Sequence, residues 1–558
     1  MQPDPIVIVS AVRTPTGGFL GDFKDTAAAE LGAAAIKAAV ERAGVPPEDI
    51  DEVIMGNVLS AGQGQAPARQ AALGAGLPLA TGCTTVNKMC GSGMKAAMLA
   101  HDLLLAGGNK VMVAGGMESM SQAPYLLTRA RTGMRLGHGE VKDHMFLDGL
   151  EDAYDKGRLM GSFAEDCATR YQFTREAQDR FAITSTTRAQ AAINSGSFRG
   201  EIAPVTVKAG KGEKTVVDDE QPLKANLEKI PELKPAFRKD GTVTAANSSS
   251  ISDGAAALVL MRRSEAAKRG LTPLAFIAGH STHAQQPAEF TTAPVGALRK
   301  LFEQTGWASG QVDLFEINEA FAVVTMAAMH DLGLAHDKVN VHGGACALGH
   351  PIGASGARIM VTLLAALEKY GLKRGVAALC IGGGEATAIA LERFQAYDPG
   401  CMAETPQSEE IAPARRARPG PRGSRLKAIA AGCLVDIGGS LLFGVVLMLL
   451  LGITLGLLGV RPEMIQHKRV FNSPAFELAS VLYGTAFTVL GGYVAARIAN
   501  YLEYRTALWV GVISLLFGEV MQPLNPDYPM WARLVGDLIV IPAALFGASL
   551  KVKQCGKG

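Results

Sequence analysis

The sequence predicts an α/β fold of two similar halves, followed by an all-α bundle of membrane helices. β-Branched runs alternate with Ala-rich helical runs up to residue 396, one strand–helix–glycine pattern occurs twice, and the chain after residue 427 is strongly apolar. We therefore divide the chain into a first half, an inserted loop region, a second half, a basic linker and about four transmembrane helices, at residues 1–120, 121–272, 273–396, 397–427 and 428–552.

Composition bounds the class of protein. A chain of 558 residues is too long for one core. Its formal net charge of +2 gives no reason to expect a nucleic-acid partner, whereas 19% charged residues and a mean hydropathy of +0.17 indicate contact with lipid. The eight Cys contain no CxxC pair, so neither a disulfide framework nor a zinc site is expected, and a reducing cytoplasm suits them. The N-terminus lacks the features of a signal peptide.

The first half predicts alternating strands and helices. Residues 6–10 and 51–59 are β-branched runs, and residues 27–43 and 66–73 are helical, the first helix closed by Gly44. The segment 92–116, a helix and a strand ending in glycines, has a counterpart at 355–384. Two such units facing each other would make one site at their junction; chance similarity of two such stretches is the alternative.

Cys90 lies just before the predicted helix that begins at Ser92. Unpaired N–H groups in a first helical turn carry partial positive charge, so we expect the thiol pKa to be lowered and the sulfur to act as a nucleophile. Gly91 and Gly93 leave room for a substrate. The alternative is a small core hydrophobe at a helix start.

The region between the halves is less regular. Residues 121–272 contain a helix candidate at 175–195 and few strand signals, as expected of a segment that covers a substrate. Within it, residues 244–254 form a small polar loop, which is either functional or an ordinary Ser-rich turn.

The amino-acid composition changes at residue 397 and again at residue 428. Residues 397–427 are rich in Pro, Gly and Arg and predict a linker. Four apolar blocks follow, of which the first two are long enough to span a bilayer, which takes roughly 20 residues; the blocks are 428–460, 476–499, 507–521 and 532–552. The distribution of Lys and Arg predicts an inner or plasma membrane location, with both termini and the catalytic domain cytoplasmic.

Three further motifs each follow a predicted strand, where the sites of α/β folds are built. They are Asn318-Glu319-Ala320-Phe321, the stretch from Gly349 through His350 to Gly356, and Cys380-Ile381-Gly382-Gly383-Gly384. Together with Cys90, in this order and at these separations, they resemble the thiolase family of acetyl-CoA acetyltransferases and 3-ketoacyl-CoA thiolases over residues 4–394. The resemblance implies a two-half fold with α/β/α/β/α layers.

The resemblance also implies a mechanism. Cys90 would accept an acyl group as a thioester, and His350 would take its proton. Cys380 would act as base on the α-carbon of a second acetyl-CoA, or as acid in thiolysis. One oxyanion would bind to His350 and a water held by Asn318, and the other to the backbone N–H groups of Cys90 and Gly382.

By the same resemblance, acyl-CoA and CoA are the substrates, no cofactor is permanently bound, and the enzyme is a homodimer or homotetramer. Ser249 would lie along the pantetheine, Met160 and Phe321 near the thioester, Leu150 against the adenine end, and Lys224 near the nucleotide. The chain departs from the usual family pattern at Leu159, where short-chain members often have His, at Ser250, at Glu385 after the glycine triplet, and at Lys224, which stands in place of an Arg.

Two alternatives remain at this point. A ketoacyl synthase on the same two-half fold would use one catalytic Cys with His-His or His-Asn, and would not need Cys380. The tail could instead be a small membrane protein with a separate function, joined to the enzyme naturally or by an artefact of joined reading frames.

Overall fold

The computed structural model describes residues 4–394 and seven pieces of the remaining chain, which are 429, 431, 433–438, 474–499, 507–515, 538–546 and 549. The chain forms two compact units, Met1–Met402 and Ala403–Gly558. The predicted linker 397–427 lies outside the described residues.

Fourteen strands form in the described part of the first unit. They are β1 (Ile6–Arg13), β2 (Gly17–Gly18), β3 (Glu52–Gly56), β4 (Gly82–Val86), β5 (Val111–Ser119), β6 (Tyr125–Leu126), β7 (Lys142–Asp143), β8 (Val205–Ala209), β9 (Gly212–Val216), β10 (Ser252–Arg262), β11 (Ala275–Ala284), β12 (Leu314–Ile317), β13 (Arg374–Ile381) and β14 (Glu385–Glu392).

Eleven α-helices accompany them in the same described residues, besides short 3₁₀ and π turns. They are α1 (Ala28–Ala43), α2 (Pro67–Gly74), α3 (Ser92–Ala106), α4 (Met160–Tyr171), α5 (Arg175–Asn194), α6 (Glu220–Lys224), α7 (Arg263–Lys268), α8 (Ala293–Thr305), α9 (Ala322–Leu332), α10 (Ala345–Leu348) and α11 (Ile352–Lys369).

One mixed sheet runs through the unit in the order β12-β13-β14-β11-β1-β10-β5-β3-β4. It consists of two half-sheets joined by a short antiparallel pairing of β1 with β11, in which Val7 faces Phe276 and Ile8 faces Ala275. The outer strands pair in parallel in each half, β3 with β4 and β5, and β12 with β13. The two halves therefore repeat one arrangement, as the sequence predicted.

The layers follow from which helices contact which strands. Helices α1 and α2 cover the outer face of the first half-sheet, and α8 and α9 cover the second. Helices α3 and α11 pack against each other and against strands of both half-sheets. Their Ala, Met and Leu side chains form a fully buried central core. The predicted α/β/α/β/α layering is confirmed.

The inserted region differs from its predicted bounds. Strand β10 lies inside residues 121–272, yet it pairs with β1 and β5 at the centre of the first half-sheet. The segment that leaves this sheet therefore runs from residue 120 to residue 251. It contains α4, α5 and the hairpin of β8 and β9. The Ser-rich loop 244–254 overlaps the start of β10, which begins at Ser252.

The second unit is helical where it is described. Its longest helix is α12 (Pro474–Ala499). Asp436, in the turn Leu434–Gly438, accepts hydrogen bonds from the hydroxyls of Thr488 (2.8 Å) and Ser514 (2.6 Å). Gly492 approaches the backbone of Ala544 so closely that a Cβ would clash with its carbonyl oxygen.

The membrane prediction finds no support in these pieces. Across the described residues, no helix combines the length with the apolar character that a bilayer crossing requires. The predicted block 428–460 lies mostly outside the described residues, as do parts of 507–521 and 532–552.

Candidate active site

Cys90 lies in a tight turn between β4 and α3. Met89 adopts a left-handed φ of 47°, an uncommon conformation for a non-glycine residue. The Ser92 hydroxyl holds the turn, because it donates to the Met89 carbonyl (2.6 Å) and accepts from the Lys88 N–H (2.8 Å). Gly91 packs against Ile381, where a Cβ would lie 2.4 Å from the Ile381 Cδ1 atom. The nucleophile turn and the Cys380 segment are thus in direct contact.

Two backbone N–H groups point at the Cys90 sulfur. They belong to Gly382 and to Cys90 itself, and both lower the thiol pKa. These are the two donors that the resemblance implied for an oxyanion. Gly382 directly follows β13, the strand that carries Cys380, and the Met160 thioether sulfur Sδ lies 3.6 Å from where a Gly382 Cβ would be.

The prediction that Cys90 would have a lowered pKa is wrong. Burial raises its pKa to about 11, the two N–H groups only offset part of that, and the charge of Glu118 raises it further. The thiol also stands before the helix, whose N-cap is Gly91, rather than in its first turn. Cys90 is therefore a neutral thiol at rest, and a base must accept its proton during attack.

His350 carries an uncharged imidazole. It lies between α10 and α11, and burial lowers its pKa to about 3, so the ring is neutral. The Ser355 hydroxyl donates to the Pro351 carbonyl (2.9 Å) and lies 2.5 Å from His350 Nδ1. Ser355 therefore accepts from Nδ1–H, which leaves the lone pair on Nε2. Nε2 is buried and has no hydrogen-bond partner among the described residues.

The side-chain amide of Asn318 is a second buried group without a hydrogen-bond partner in the described chain. It directly follows β12, and its N–H donates to the Ala378 carbonyl (3.0 Å) on the neighbouring strand β13, which carries Cys380. Neither the oxygen nor the nitrogen of its buried side-chain amide has a partner within the described chain. An unsatisfied buried amide costs about 1–3 kcal/mol. Such an amide fits a residue that binds a water or a ligand.

Cys380 lies near enough to Cys90 for their charges to interact. Burial raises the pKa of Cys380 well above its usual value, and a negative charge on Cys90 raises it further. The two sulfurs therefore do not ionise together. Cys380 also packs in the apolar cluster that contains Phe321 and borders Met160.

The predicted CoA-binding residues are spread over several positions. Met160 and Phe321 border Cys380. Ser249 lies against the Asn318 loop, where its hydroxyl and its N–H each donate to the Ala320 carbonyl at 3.0 Å.

Leu150 and Lys224 lie elsewhere. Leu150 packs on the apolar cluster that contains Ile352 and that Cys90 also borders. Lys224 is exposed, and its ammonium pairs with Glu220. No described contact connects Lys224 with the two thiols.

Three residues that hold the loops and the His350 ring in place were not assigned a role from the sequence. Asn340, at a φ of 49°, binds the end of β12 through the Ile317 N–H and carbonyl, both at 2.8 Å, and also donates to Glu319. Glu118 accepts from the N–H groups of Val58, Leu59 and Gly353. Ser355 fixes the His350 tautomer. The signal for Ser355 was present, since it stands in the motif of His350; Asn340 and Glu118 act through contacts distant in sequence.

The first unit is similar in sequence to known proteins. Residues 6–264 match the family model for the N-terminal domain of thiolase, and residues 271–393 match that for its C-terminal domain. Acetyl-CoA acetyltransferase 2 of Arabidopsis thaliana is 53% identical over 396 residues, which are 70% of this chain and 98% of the relative. Acetyl-CoA acetyltransferase of Cupriavidus necator is 49% identical over 390 residues, 70% and 99% of the two chains.

Solved structures of related enzymes have a similar fold. Acetyl-CoA acetyltransferase of Bacillus anthracis superposes with a TM-score of 0.69 at 43% identity, over 70% of this chain and 99% of the other. A thiolase of Ascaris suum in complex with coenzyme A gives a TM-score of 0.66 at 41% identity, over 70% and 100%.

The two-half fold, with the Cys90 turn in contact with the Cys380 segment, is that of a thiolase-type enzyme. The chain belongs to the thiolase family. Within that family it is an acetyl-CoA acetyltransferase-type thiolase enzyme.

Proposed function

We propose that the first unit is an acyl-CoA C-acyltransferase that works through a Cys90 acyl-enzyme, in thiolysis of a 3-ketoacyl-CoA or in Claisen condensation of two acetyl-CoA. The observation that carries the proposal is the Cys90 thiol between two backbone N–H groups, within electrostatic reach of a second thiol, Cys380. A single reactive cysteine could accept an acyl group. A second thiol beside it adds a proton carrier for carbon–carbon bond chemistry.

The first half-reaction transfers the acyl group to sulfur. Nε2 of His350 takes the Cys90 proton as the sulfur attacks the thioester carbonyl, so no resting thiolate is needed. The N–H groups of Cys90 and Gly382 bind the carbonyl oxygen as it becomes an oxyanion. The carbon–sulfur bond to CoA then breaks, and the leaving CoA thiolate takes the proton back from His350.

The second half-reaction forms a carbon–carbon bond in the condensing direction. Cys380 removes a proton from the α-carbon of a second acetyl-CoA, and His350 with an Asn318-bound water holds the enolate oxygen. The carbanion attacks the Cys90 thioester, the carbon–sulfur bond to Cys90 breaks, and the Cys90 thiolate takes the proton that Cys380 had removed, which leaves Cys380 a thiolate again. Acylated Cys90 cannot ionise, so no Cys90 thiolate forms to raise the pKa of Cys380 at the step that uses the second thiol.

The names of the relatives support acetyl-CoA as one substrate, since both curated relatives above are acetyl-CoA acetyltransferases. Ser249, Met160, Phe321 and Leu150 would line the path of the pantetheine and acyl group, and Lys224 would meet the nucleotide. Leu159 is the N-cap residue of α4 and directly precedes Met160. Turnover measured over a series of 3-ketoacyl-CoA lengths tests the substrate: a maximum at the four-carbon substrate supports it, and a maximum at long chains contradicts it.

The experiment for the reaction class uses the full chain with acetoacetyl-CoA and CoA, and follows loss of the enolate absorbance. We expect turnover in the wild type and none above background in Cys90→Ala. Cys83→Ala is the matched control, because Cys83 is a half-buried thiol on β4 outside the site. Absence of wild-type turnover, or equal turnover in Cys90→Ala, would rule the proposal out.

We also propose a homodimer or homotetramer. Strand β4 is the last strand of the sheet, pairs with β3 alone among the described strands, and is partly exposed along its length. A free sheet edge is a template for pairing with another strand, and a second copy of β4 fits it. Light scattering after size-exclusion chromatography tests this, and a mass equal to one chain would contradict it.

The tail and the location are proposed from sequence alone. The apolar blocks after residue 427 and the Lys and Arg around them suggest attachment to the inner or plasma membrane, with the enzyme on the cytoplasmic side. The alternative is a joined small membrane protein with its own function. Intact mass in membrane and soluble fractions separates these: a full-length chain in the membrane fraction supports attachment, and a soluble product ending near residue 400 contradicts it.

A further inference from the structure

Three metal-ligating side chains converge at a place distinct from the two thiols. His101 and Asp102 lie near the end of α3, and His280 lies on β11. Nδ1 of His101 lies 3.0 Å from the Asp102 Oδ1 atom and 3.2 Å from the His280 Nε2 atom. The His280 Nε2 atom lies 3.0 Å from the same Asp102 Oδ1 atom. Within the described residues this is the one group of three such side chains whose ligand atoms all lie within 4.8 Å of one another.

The triangle has the dimensions of one face of a metal coordination sphere. Ligands about 2.1 Å from an ion stand about 3.0 Å apart at octahedral angles and about 3.4 Å apart at tetrahedral angles. The three separations therefore match the octahedral face and need to widen by only a few tenths of an ångström for a tetrahedral ion. Two imidazoles and one carboxylate are ligands that divalent first-row transition metals favour.

Hydrogen bonds cannot account for all three of these contacts at once. Each neutral imidazole carries a single N–H, and the tautomer decides which nitrogen bears it. If both rings donate to Asp102, then His101 Nδ1 and His280 Nε2 lie 3.2 Å apart with no hydrogen bond between them. If only one ring donates, one of the three contacts lacks a hydrogen of its own. A cation at the centre would accept a lone pair from all three atoms.

The surroundings hold the two rings and leave the carboxylate accessible. The His101 side chain is 8% exposed and the His280 side chain 16% exposed. The Asp102 side chain is 54% exposed, which gives an ion an entry route and room for water as further ligands.

We propose that His101, Asp102 and His280 bind one divalent first-row transition-metal ion. His101 lies nine residues beyond Ser92 on α3, about 14 Å along the helix axis. The ion would therefore not touch the reacting atoms. It would join α3, which belongs to the first half, to β11 of the second half. Cysteine spacing gave no indication of this site, because its ligands include no cysteine and His280 stands 179 positions after His101.

Cobalt titration tests the proposal. The untagged full chain is stripped with a chelator, and Co²⁺ is then added while visible absorption and binding heat are recorded. We expect one ion per chain, and dissociation constants at least about tenfold weaker in Asp102→Ala and His280→Ala, since each loses one of three protein ligands. Asp102→Ala changes an exposed side chain and is expected to fold, as circular dichroism would verify.

His330→Ala is the matched control. His330 and Asp331 form a similar adjacent pair, with Nδ1 and Oδ1 2.9 Å apart, outside the three-ligand group. This variant should bind cobalt like the wild type. Binding should also raise the melting temperature of the wild type and of His330→Ala, but less in Asp102→Ala, because a ligand of the folded state stabilises it by mass action.

Two results would overturn the proposal. One is no saturable cobalt binding by the wild type, which would mean that the three side chains share protons only. The other is equal binding in the wild type and His280→Ala together with a thiolate-to-cobalt absorption band that disappears in Cys90→Ala, which would assign the ion to the thiols. Neither result bears on the thiolase reaction.

Discussion

The Lys88 ammonium lies 2.6 Å from the Glu385 carboxylate. Lys88 belongs to the turn that presents Cys90, and Glu385 begins β14 directly after the glycine triplet that follows Cys380. The ion pair therefore ties together the two segments that carry the thiols. Glu385 is one of the positions at which the chain departs from the usual family pattern, and its partner gives that departure a structural reason.

Breaking this pair should lower kcat rather than stability. We expect Lys88→Met and Glu385→Gln each to reduce kcat about threefold to tenfold, because a displaced turn misaligns the two sulfurs. The double variant should be no slower than the slower single variant, as the residues act as one unit. Lys214→Met, which breaks the exposed pair with Asp22, is the control. Losses that simply multiply would show that the two residues act separately.

The reactivity of Cys90 should depend steeply on pH. Its pKa is raised to about 11 by burial, and only the thiolate reacts with iodoacetamide. The thiolate fraction of a group below its pKa grows about tenfold per pH unit. Inactivation should therefore accelerate throughout the range from neutral to about pH 10, and acetyl-CoA should protect. A rate that levels off near neutral pH would mean that the N–H groups outweigh burial.

Cys380→Ala should separate the two half-reactions. Cys90, Gly382 and His350 remain intact, so transfer of an acetyl group from acetyl-CoA to the enzyme should persist. Complete turnover should fall by about 100-fold or more, because no thiol carries the α-carbon proton. Mass spectrometry of the acyl-enzyme and the turnover assay measure the two quantities. A ketoacyl-synthase mechanism predicts the opposite result, namely turnover that is little affected.

Breaking a buried ion cluster should strongly lower the free energy of unfolding of the first unit. Arg13 is fully buried and binds Glu201 (2.5 Å) and Asp219 (2.7 and 2.9 Å). Arg13→Met leaves two buried carboxylates without their cation, so we expect a loss of about 3–5 kcal/mol in the free energy of unfolding. Urea unfolding followed by circular dichroism measures it. Lys214→Met, at an exposed pair, should change it by less than about 1 kcal/mol.

Much of the fold and of the catalytic set was predictable because the signals are local. Helix α5 was predicted within one residue of its observed end, and the strand before Asn318 was predicted, whereas β4 before Cys90 was not. The internal repeat also predicted that the site lies at a junction of two halves.

Other features could not be predicted, since they depend on contacts between distant residues. The raised pKa of Cys90 comes from burial by segments far along the chain, which outweighs the local helix effect. The position of β10 depends on pairing with β1 and β5 on both sides. Asn340 and Glu118 act on loops that no sequence motif connects to them.

The narrow join between the half-sheets has a practical consequence. Only two residues of β1 pair with β11, and a single loop between α7 and β11 carries the chain from one half to the other. A cut beside Gly270 in that loop would leave two fragments whose apolar helix faces are complementary. Expressed together, they should dock into a working split enzyme, whereas either fragment by itself would be inert and prone to aggregate.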